Sequence, residues 1–145
     1  MKTVLKLAFA LLLATGLTAN AQEKRITLKE LPANAQTYIT KHFPNQAPSY
    51  IIEDKGMLST DYEVMLTGGT KIEFDGSGNW EEVDGNKTAI PNSVIPKNIA
   101  TYLTANYKGQ AIEKIEREKY KYKVELLNGL DLEFDADGKF LRIDD

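Results

Sequence analysis

YEVMLTGGTKIEFDGSGNWEEVD, residues 62–84, and YKVELLNGLDLEFDADGKFLRID, residues 122–144, are one pattern written twice. They align without a gap at an offset of 60, sharing Tyr, Val, Leu, Gly, Glu-Phe-Asp, a second Gly and a closing Asp. In the first stretch Tyr62, Val64 and Leu66 alternate with Glu63, Met65 and Thr67, which is the period of a half-buried strand. Gly68-Gly69 then supplies a hairpin turn, because glycine reaches positive φ without strain. Ile72 and Phe74 resume the alternation, Asp75 to Asn79 turns again, and Trp80 to Val83 closes a meander. Hairpins make such strands antiparallel, and an antiparallel sheet can bury one face and wet the other.

Outward from each meander the repeat continues. Leu31-Pro32-Ala33-Asn34-Ala35 returns as Ile95-Pro96-Lys97-Asn98-Ile99, now at an offset of 64. Proline suits the first turn of a helix, where a missing N–H costs nothing. Ala35, Tyr38, Ile39, His42 and Phe43 recur at helical spacing, as do Ile99, Tyr102, Leu103 and Tyr107. A helix over 33–43 is expected, ended by Pro44-Asn45. Thr27-Leu28-Lys29-Glu30 has capping-box form and predicts a short turn before it. Tyr50 to Glu53 reads as the strand that follows, and Gln22 to Thr27 as a polar lead-in. The four extra residues of the first unit fit the turn at 55–60. The expected fold is α+β: two tandem units, each a helix plus four antiparallel strands, about 28–84 and 94–145. A turn-rich linker, 85–93, joins them. Together they form one domain, 22–145, with a curved, roughly eight-stranded sheet and both helices on one face. A single unit of such length is marginal, and pairing two enlarges the shared core.

Residues 1–21 read as a secretory signal peptide: basic Lys2 and Lys6, an apolar run from Leu7 to Leu17, and Ala19-Asn20-Ala21 for cleavage. A retained anchor is the alternative, against which stands the short apolar run. Removal of Lys2 and Lys6 takes the net charge from −3 to −5. The chain has no cysteine, which excludes a disulfide framework and thiol chemistry. An acidic exported chain is a poor nucleic-acid partner, and no later run is long enough to span a membrane. A periplasmic or secreted location follows.

Each half resembles the PepSY-like domains, a family of exported bacterial proteins with a fold similar to the β-lactamase inhibitor protein. The resemblance rests on Leu31-Pro32, Tyr38, Tyr62, Val64, Leu66, Phe74-Asp75 and Gly78. It recurs at Ile95-Pro96, Tyr102, Tyr122, Val124, Leu126, Phe134-Asp135 and Gly138, and covers nearly all of 27–145. It implies a curved sheet with helices on the convex side and an open concave face. It implies no established activity; for relatives, inhibition of a peptidase or lactamase is suggested by analogy, and fold is a weak guide to function.

The residues offer little catalytic chemistry. His42 is the only histidine and has no cysteine partners for a usual zinc site. Asp75, Ser77, Asn79 and Glu81 place oxygens at alternate positions as calcium loops do, but Lys139 breaks the pattern in the second copy and no distal Glu follows. Asp and Gly are also what a tight hairpin wants, so neither a metal nor another cofactor is expected. Glu73 and Glu133 as an acid–base pair would need a pocket with shifted pKa values.

The open sheet face is the expected binding site. With Val64, Leu66, Ile72 and Phe74 under a helix, Glu63, Met65, Lys71 and Glu73 point away. In the second unit Lys123, Glu125, Leu127, Asp131 and Glu133 do so. Val83, Leu141 and Ile143 then face the helices, leaving Trp80, Glu82, Phe140 and Arg142 outside. The expected site is Trp80, Phe140, Met65 and Leu127 among Glu63, Glu73, Glu125, Glu133 and Arg142, arranged like an interface core and rim. A bulge in the fourth strands would instead return Trp80 and Phe140 to the core. The leading reading is a non-catalytic module that docks a protein or peptide, a basic one or an enzyme it inhibits. The alternative is a sensor of a small ligand or cation.

Overall fold

The computed structural model describes residues 22–144; the signal-peptide reading lies outside them. Two ten-residue helices, α1 (Ala33–His42) and α2 (Lys97–Asn106), cover one face of an antiparallel sheet. The sheet has nine strands in chain order: β1 (Gln22–Arg25), β2 (Pro48–Lys55), β3 (Thr60–Leu66), β4 (Lys71–Phe74), β5 (Trp80–Asp84), β6 (Ile112–Arg117), β7 (Lys121–Leu126), β8 (Asp131–Asp135) and β9 (Phe140–Asp144). The expected eight strands are thus corrected to nine. The polar lead-in is β1, paired with β2 from Gln22↔Lys55 to Arg25↔Ile52. All four of its side chains are exposed, with Lys24 near Glu30 and Arg25 over the Tyr50 ring, so no apolar period could reveal it.

Both helices begin after a proline whose carbonyl accepts the first helical bond, Gln36 to Pro32 and Ala100 to Pro96. Their stripes, Ala35 and Ile39, Ile99 and Leu103, are buried. Beneath them the strands present a continuous apolar row: Ile51↔Val64↔Ile72↔Val83↔Ile115↔Val124↔Leu132. Tyr38 stands edge-on to Phe74 at 5.6 Å and Tyr102 to Phe134 at 5.5 Å. Such aromatic pairs contribute roughly 0.5–1.5 kcal/mol beyond their burial. Ahead of α1, the Thr27 N–H donates to Glu30 Oε2 at 2.7 Å, closing the expected capping turn, Leu28–Glu30. The expected linker carries part of the core: Ile90 is buried and its N–H bonds the Ile112 carbonyl, and Val94, just after the linker, is buried as well.

Each helix is clamped to a hairpin turn of its sheet. Asp75 Oδ1 accepts from the Ser77 and Asn79 N–H groups, and the Asn34 amide donates to the Ser77 carbonyl. Asp135 and Asn98 repeat this around Asp137 and Lys139. Gly78 has φ +82°, and a Cβ there would stand 2.8 Å from Pro32 Cβ and 2.9 Å from the Ala35 nitrogen. Only glycine accepts both the conformation and the approach. The Asp75 carboxylate is therefore occupied by its own loop, Oδ1 by two backbone N–H groups and Oδ2 by the Asn79 amide.

Candidate binding basin on the open sheet face

Strand register decides which side chains face away from the helices. Val64 and Ile72 are buried on the helix side, so their neighbours Glu63, Met65, Lys71 and Glu73 face out, as expected. Trp80 and Phe140 do not, and the exposed placement expected for them is corrected. The registers Glu73↔Glu82 and Phe74↔Trp80 leave Glu81 unpaired in a bulge. One extra residue reverses the alternation, so Trp80 joins Phe74 on the helix side. Trp80 stacks on Tyr38 at 6.3 Å and 27°, and the Arg117 guanidinium lies 5.1 Å over its ring. The same shift on β8–β9 places Phe140 opposite Phe134 and stacks it on Tyr102 at 4.8 Å and 10°. Both aromatics are structural. Leu141, expected beneath the helices, is exposed. Leu127 is exposed but sits in the β7–β8 turn, past the end of β7.

What the first half gathers on the open face is carboxylates. Glu23, Asp54, Asp61, Glu63, Glu73 and Glu81 surround a cavity of about 240 Å³ with Ile52 in its wall. Each comes from a different position in β1–β5: the register Glu23↔Asp54↔Asp61 forms one row and Ile52↔Glu63↔Glu73 the next. Glu81 enters from the bulge. Its carboxyl is pushed up by burial and then by the neighbouring charges of Asp61 and Asp75. Tyr50 donates to Glu63 Oε1 at 3.1 Å, a bond that holds the phenol protonated. Asp54 Oδ1 is shielded from solvent and has no hydrogen-bond partner. Glu73 has one cation, Lys71 Nζ at 2.8 Å, which also reaches Glu82 at 3.0 Å. Burial works against the Lys71 charge, but the bonds from Glu73 and Glu82 outweigh it. Among the described residues no three of these carboxylates converge closely enough to hold a metal ion.

The second half gathers pairs instead. Glu133, expected to stand exposed and select a basic partner, is corrected to a buried residue, 4% exposed. It accepts from Lys121 at 2.7 Å and from Arg142 Nε at 2.8 Å. Those two bonds hold its carboxyl down at about 2. Arg142 is thereby engaged, and reaches Asp144 at 3.4 Å as well. Glu125 lies with Lys114, Glu116, Lys123, Asp131 and Asp144 around a smaller cavity of about 170 Å³. Burial, then Asp131, raises its pKa.

Asp54, Asp61 and Glu23 escaped the sequence reading, and Glu81 entered it only as an oxygen of the Asp75 turn. Asp54 and Asp61 share the period-2 face of Ile52 and Glu63, a signal that appears once β2 is run to Lys55. Glu81 depends on the bulge and Glu23 on the pairing of β1. His42 Nδ1 stands 2.8 Å from the Ser93 hydroxyl, a contact 51 residues apart in sequence. It ties the end of α1 to the 3-10 turn Asn92–Val94.

Three comparisons place this arrangement. Residues 17–67 and 60–142 match the profile of a family described as "Putative beta-lactamase-inhibitor-like, PepSY-like". A crystal structure from Bacteroides thetaiotaomicron, described as a "putative calcium-regulated periplasmic protein", is 39% identical, covers 85% of this chain and 97% of its own, and superposes with a TM-score of 0.80. Two structures from Bacteroides vulgatus ATCC 8482, both described as putative periplasmic proteins, are each 36% identical with TM-scores of 0.80. They cover 86% of this chain and 98% and 100% of theirs. No curated protein matches the sequence. The chain shares the periplasmic location of these relatives, and no described helix is long and apolar enough to cross a membrane. On the extent of the profile match and the identity to these structures, the chain belongs to the PepSY-like, beta-lactamase-inhibitor-like family.

Proposed function

We propose that this protein is a non-catalytic, exported binding module that docks a basic segment of a protein or peptide on the open face of its sheet. The observation that carries the reading is the basin of six carboxylates around Ile52, on the face opposite the two described helices. A lysine or arginine side chain suits it: the aliphatic stem lies on Ile52 and the charged head among the acids. Like charges crowded in a basin repel one another, and a cationic partner relieves that repulsion. In an inhibitor-like role, the basic segment would belong to the enzyme being held. The halves are best read as tandem copies of one helix-and-meander unit, behind a signal peptide ending at Ala21.

Calorimetric titration of oligolysine, with an oligoglutamate control, tests the proposal. Binding of the cationic peptide is expected, falling steeply with salt, and Asp61→Lys should weaken it. Equal heats from both peptides would overturn the reading.

A second reading takes the same basin as a cation sensor whose carboxylates would have to draw together on the ion, since no three of the described ones converge on a metal as they stand. The unpartnered Asp54 Oδ1 favours it, as does the calcium-regulated description of the Bacteroides thetaiotaomicron relative. Calcium would raise Tm by mass action, and Asp54→Asn would remove that rise. An unchanged Tm at millimolar calcium would end this alternative.

A further inference from the structure

The two halves end in equivalent strands with different fates. β5 is flanked by β6, in the register Glu82↔Glu116, Val83↔Ile115, Asp84↔Lys114. Val83 is therefore 0% exposed. β9 occupies the same place at the end of the second half and is the last strand of the sheet among the described residues. Its Ile143, the counterpart of Val83, is 45% exposed, and Leu141 is 52% exposed.

The backbone of β9 is set for another strand. The Asp135 N–H bonds the Lys139 carbonyl, so on β8 the groups of Asp135 and Glu133 turn toward β9 and those of Leu132 turn away. Ile143, opposite Leu132, therefore directs its own N–H and C=O outward. The first half has the same parity, since the Gly85 N–H bonds the Glu113 carbonyl across the β5–β6 junction. The opposite edge is blunted: β1 exposes Glu23, Lys24 and Arg25, the charged side chains that edge strands use against pairing. β9 carries exposed apolar residues, Leu141 and Ile143, beside the charged Arg142 and Asp144.

We propose that β9 pairs antiparallel with β9 of a second copy of this chain, about a two-fold axis through Ile143. The occupant follows from charge complementarity. Arg142-Ile143-Asp144 is self-complementary: a two-fold at Ile143 sets Arg142, which already holds Glu133 and reaches its own Asp144, opposite Asp144 of the other copy, so that each Asp144 would exchange or share its arginine across the axis. This repeats the β5–β6 junction, where an apolar pair, Val83↔Ile115, is flanked by an acid opposite a base, Asp84↔Lys114. Opposite charges directly across a ladder stabilise it and like charges destabilise it. The axis runs perpendicular to the sheet, so the helices of both copies stay on one side and the open faces on the other. The result is a continuous sheet of two chains with two acidic basins on one surface.

Analytical ultracentrifugation of the purified chain tests this. A concentration-dependent dimer is expected. Asp144→Arg, which sets arginine against Arg142, and Ile143→Lys should each weaken it, by roughly tenfold or more, with circular dichroism unchanged. Because the chain has no cysteine, Ile143→Cys gives a clean second readout. Directly opposed residues lie about 5.5 Å apart between Cα atoms, within disulfide reach. This variant should oxidise to a covalent dimer, while Met57→Cys, at an exposed turn, should not. A chain monomeric at all concentrations, or a dimer untouched by both substitutions and with equal cross-linking at 57 and 143, would overturn the proposal.

Discussion

Glu73 and Glu133 hold the same place in their respective halves, on the middle of the third meander strand, yet their surroundings are opposite. Around Glu133 stand Lys121 and Arg142, and the carboxylate is buried between them. The residues at the matching positions beside Glu73 are Asp61 and Glu82. Glu63 likewise matches Lys123, and Glu81 matches Leu141. On the helix side the halves agree almost residue for residue: Val64 with Val124, Leu66 with Leu126, Phe74 with Phe134, Tyr38 with Tyr102. Packing fixes one face, because each core position must fill its space. The wet face is under no such constraint, and there the halves differ: carboxylates share the second half's cavity with Lys114 and Lys123, whereas six carboxylates and no base line the first half's. The difference teaches where to look for function: in the half with the larger excess of acid.

The largest expected effect tests the helix-side aromatics. Trp80→Ala should cost about 3 kcal/mol by chemical denaturation, at the low end for aromatic truncation because Trp80 is half-buried. Phe140→Ala should cost less, about 2 kcal/mol, because among the described residues β9 has a neighbouring strand on one side only. Values near zero for both would return them to the solvent and break the assignment of faces.

Glycine at the clamped turns comes next. Gly78→Ala meets both Pro32 and the Ala35 backbone, whereas the nearest atom at Gly138 is Asn98 Cβ at 3.0 Å. Positive φ alone costs about 1–2 kcal/mol, and the tighter approach adds to it. Gly78→Ala should therefore lower Tm more than Gly138→Ala, and the reverse order would show that the turns are not held as described.

The smallest effects sharpen the electrostatic contrast. The Glu133 carboxyl is held at about 2 in the fold against roughly 4.3 in an open chain. Its contribution to stability is complete above the open-chain value and is lost as pH falls toward 2. Glu81 has the opposite sign: its pKa is raised, so protonation as pH falls favours the fold. Glu133→Gln should destabilise at neutral pH and have little effect near pH 2. Glu81→Gln should stabilise slightly at neutral pH. Denaturation midpoints across pH separate the two, and parallel profiles would refute the contrast.

Much of the fold was legible in the sequence because its period-2 and helical stripes, its prolines and its Asp–Gly turns all describe the buried face. The candidate site was only partly so. Glu63, Glu73 and Met65 follow from alternation alone. Trp80 and Phe140 were misplaced because a bulge is one uncompensated residue, and alternation carries no mark of it. β1 was missed because its side chains are all exposed. Burial of Glu133 depends on partners 12 and 9 residues away across strands, and only register brings them together.

Chemical-shift mapping of oligolysine onto the isotope-labelled chain tests the central claim most directly. The basin reading predicts that the moving amides cluster at Asp54, Asp61, Glu63, Glu73 and Glu81, and that Asp61→Lys, which imports the second half's Lys121, abolishes the movement. Shifts centred on β7–β9, or unaffected by that substitution, would contradict it.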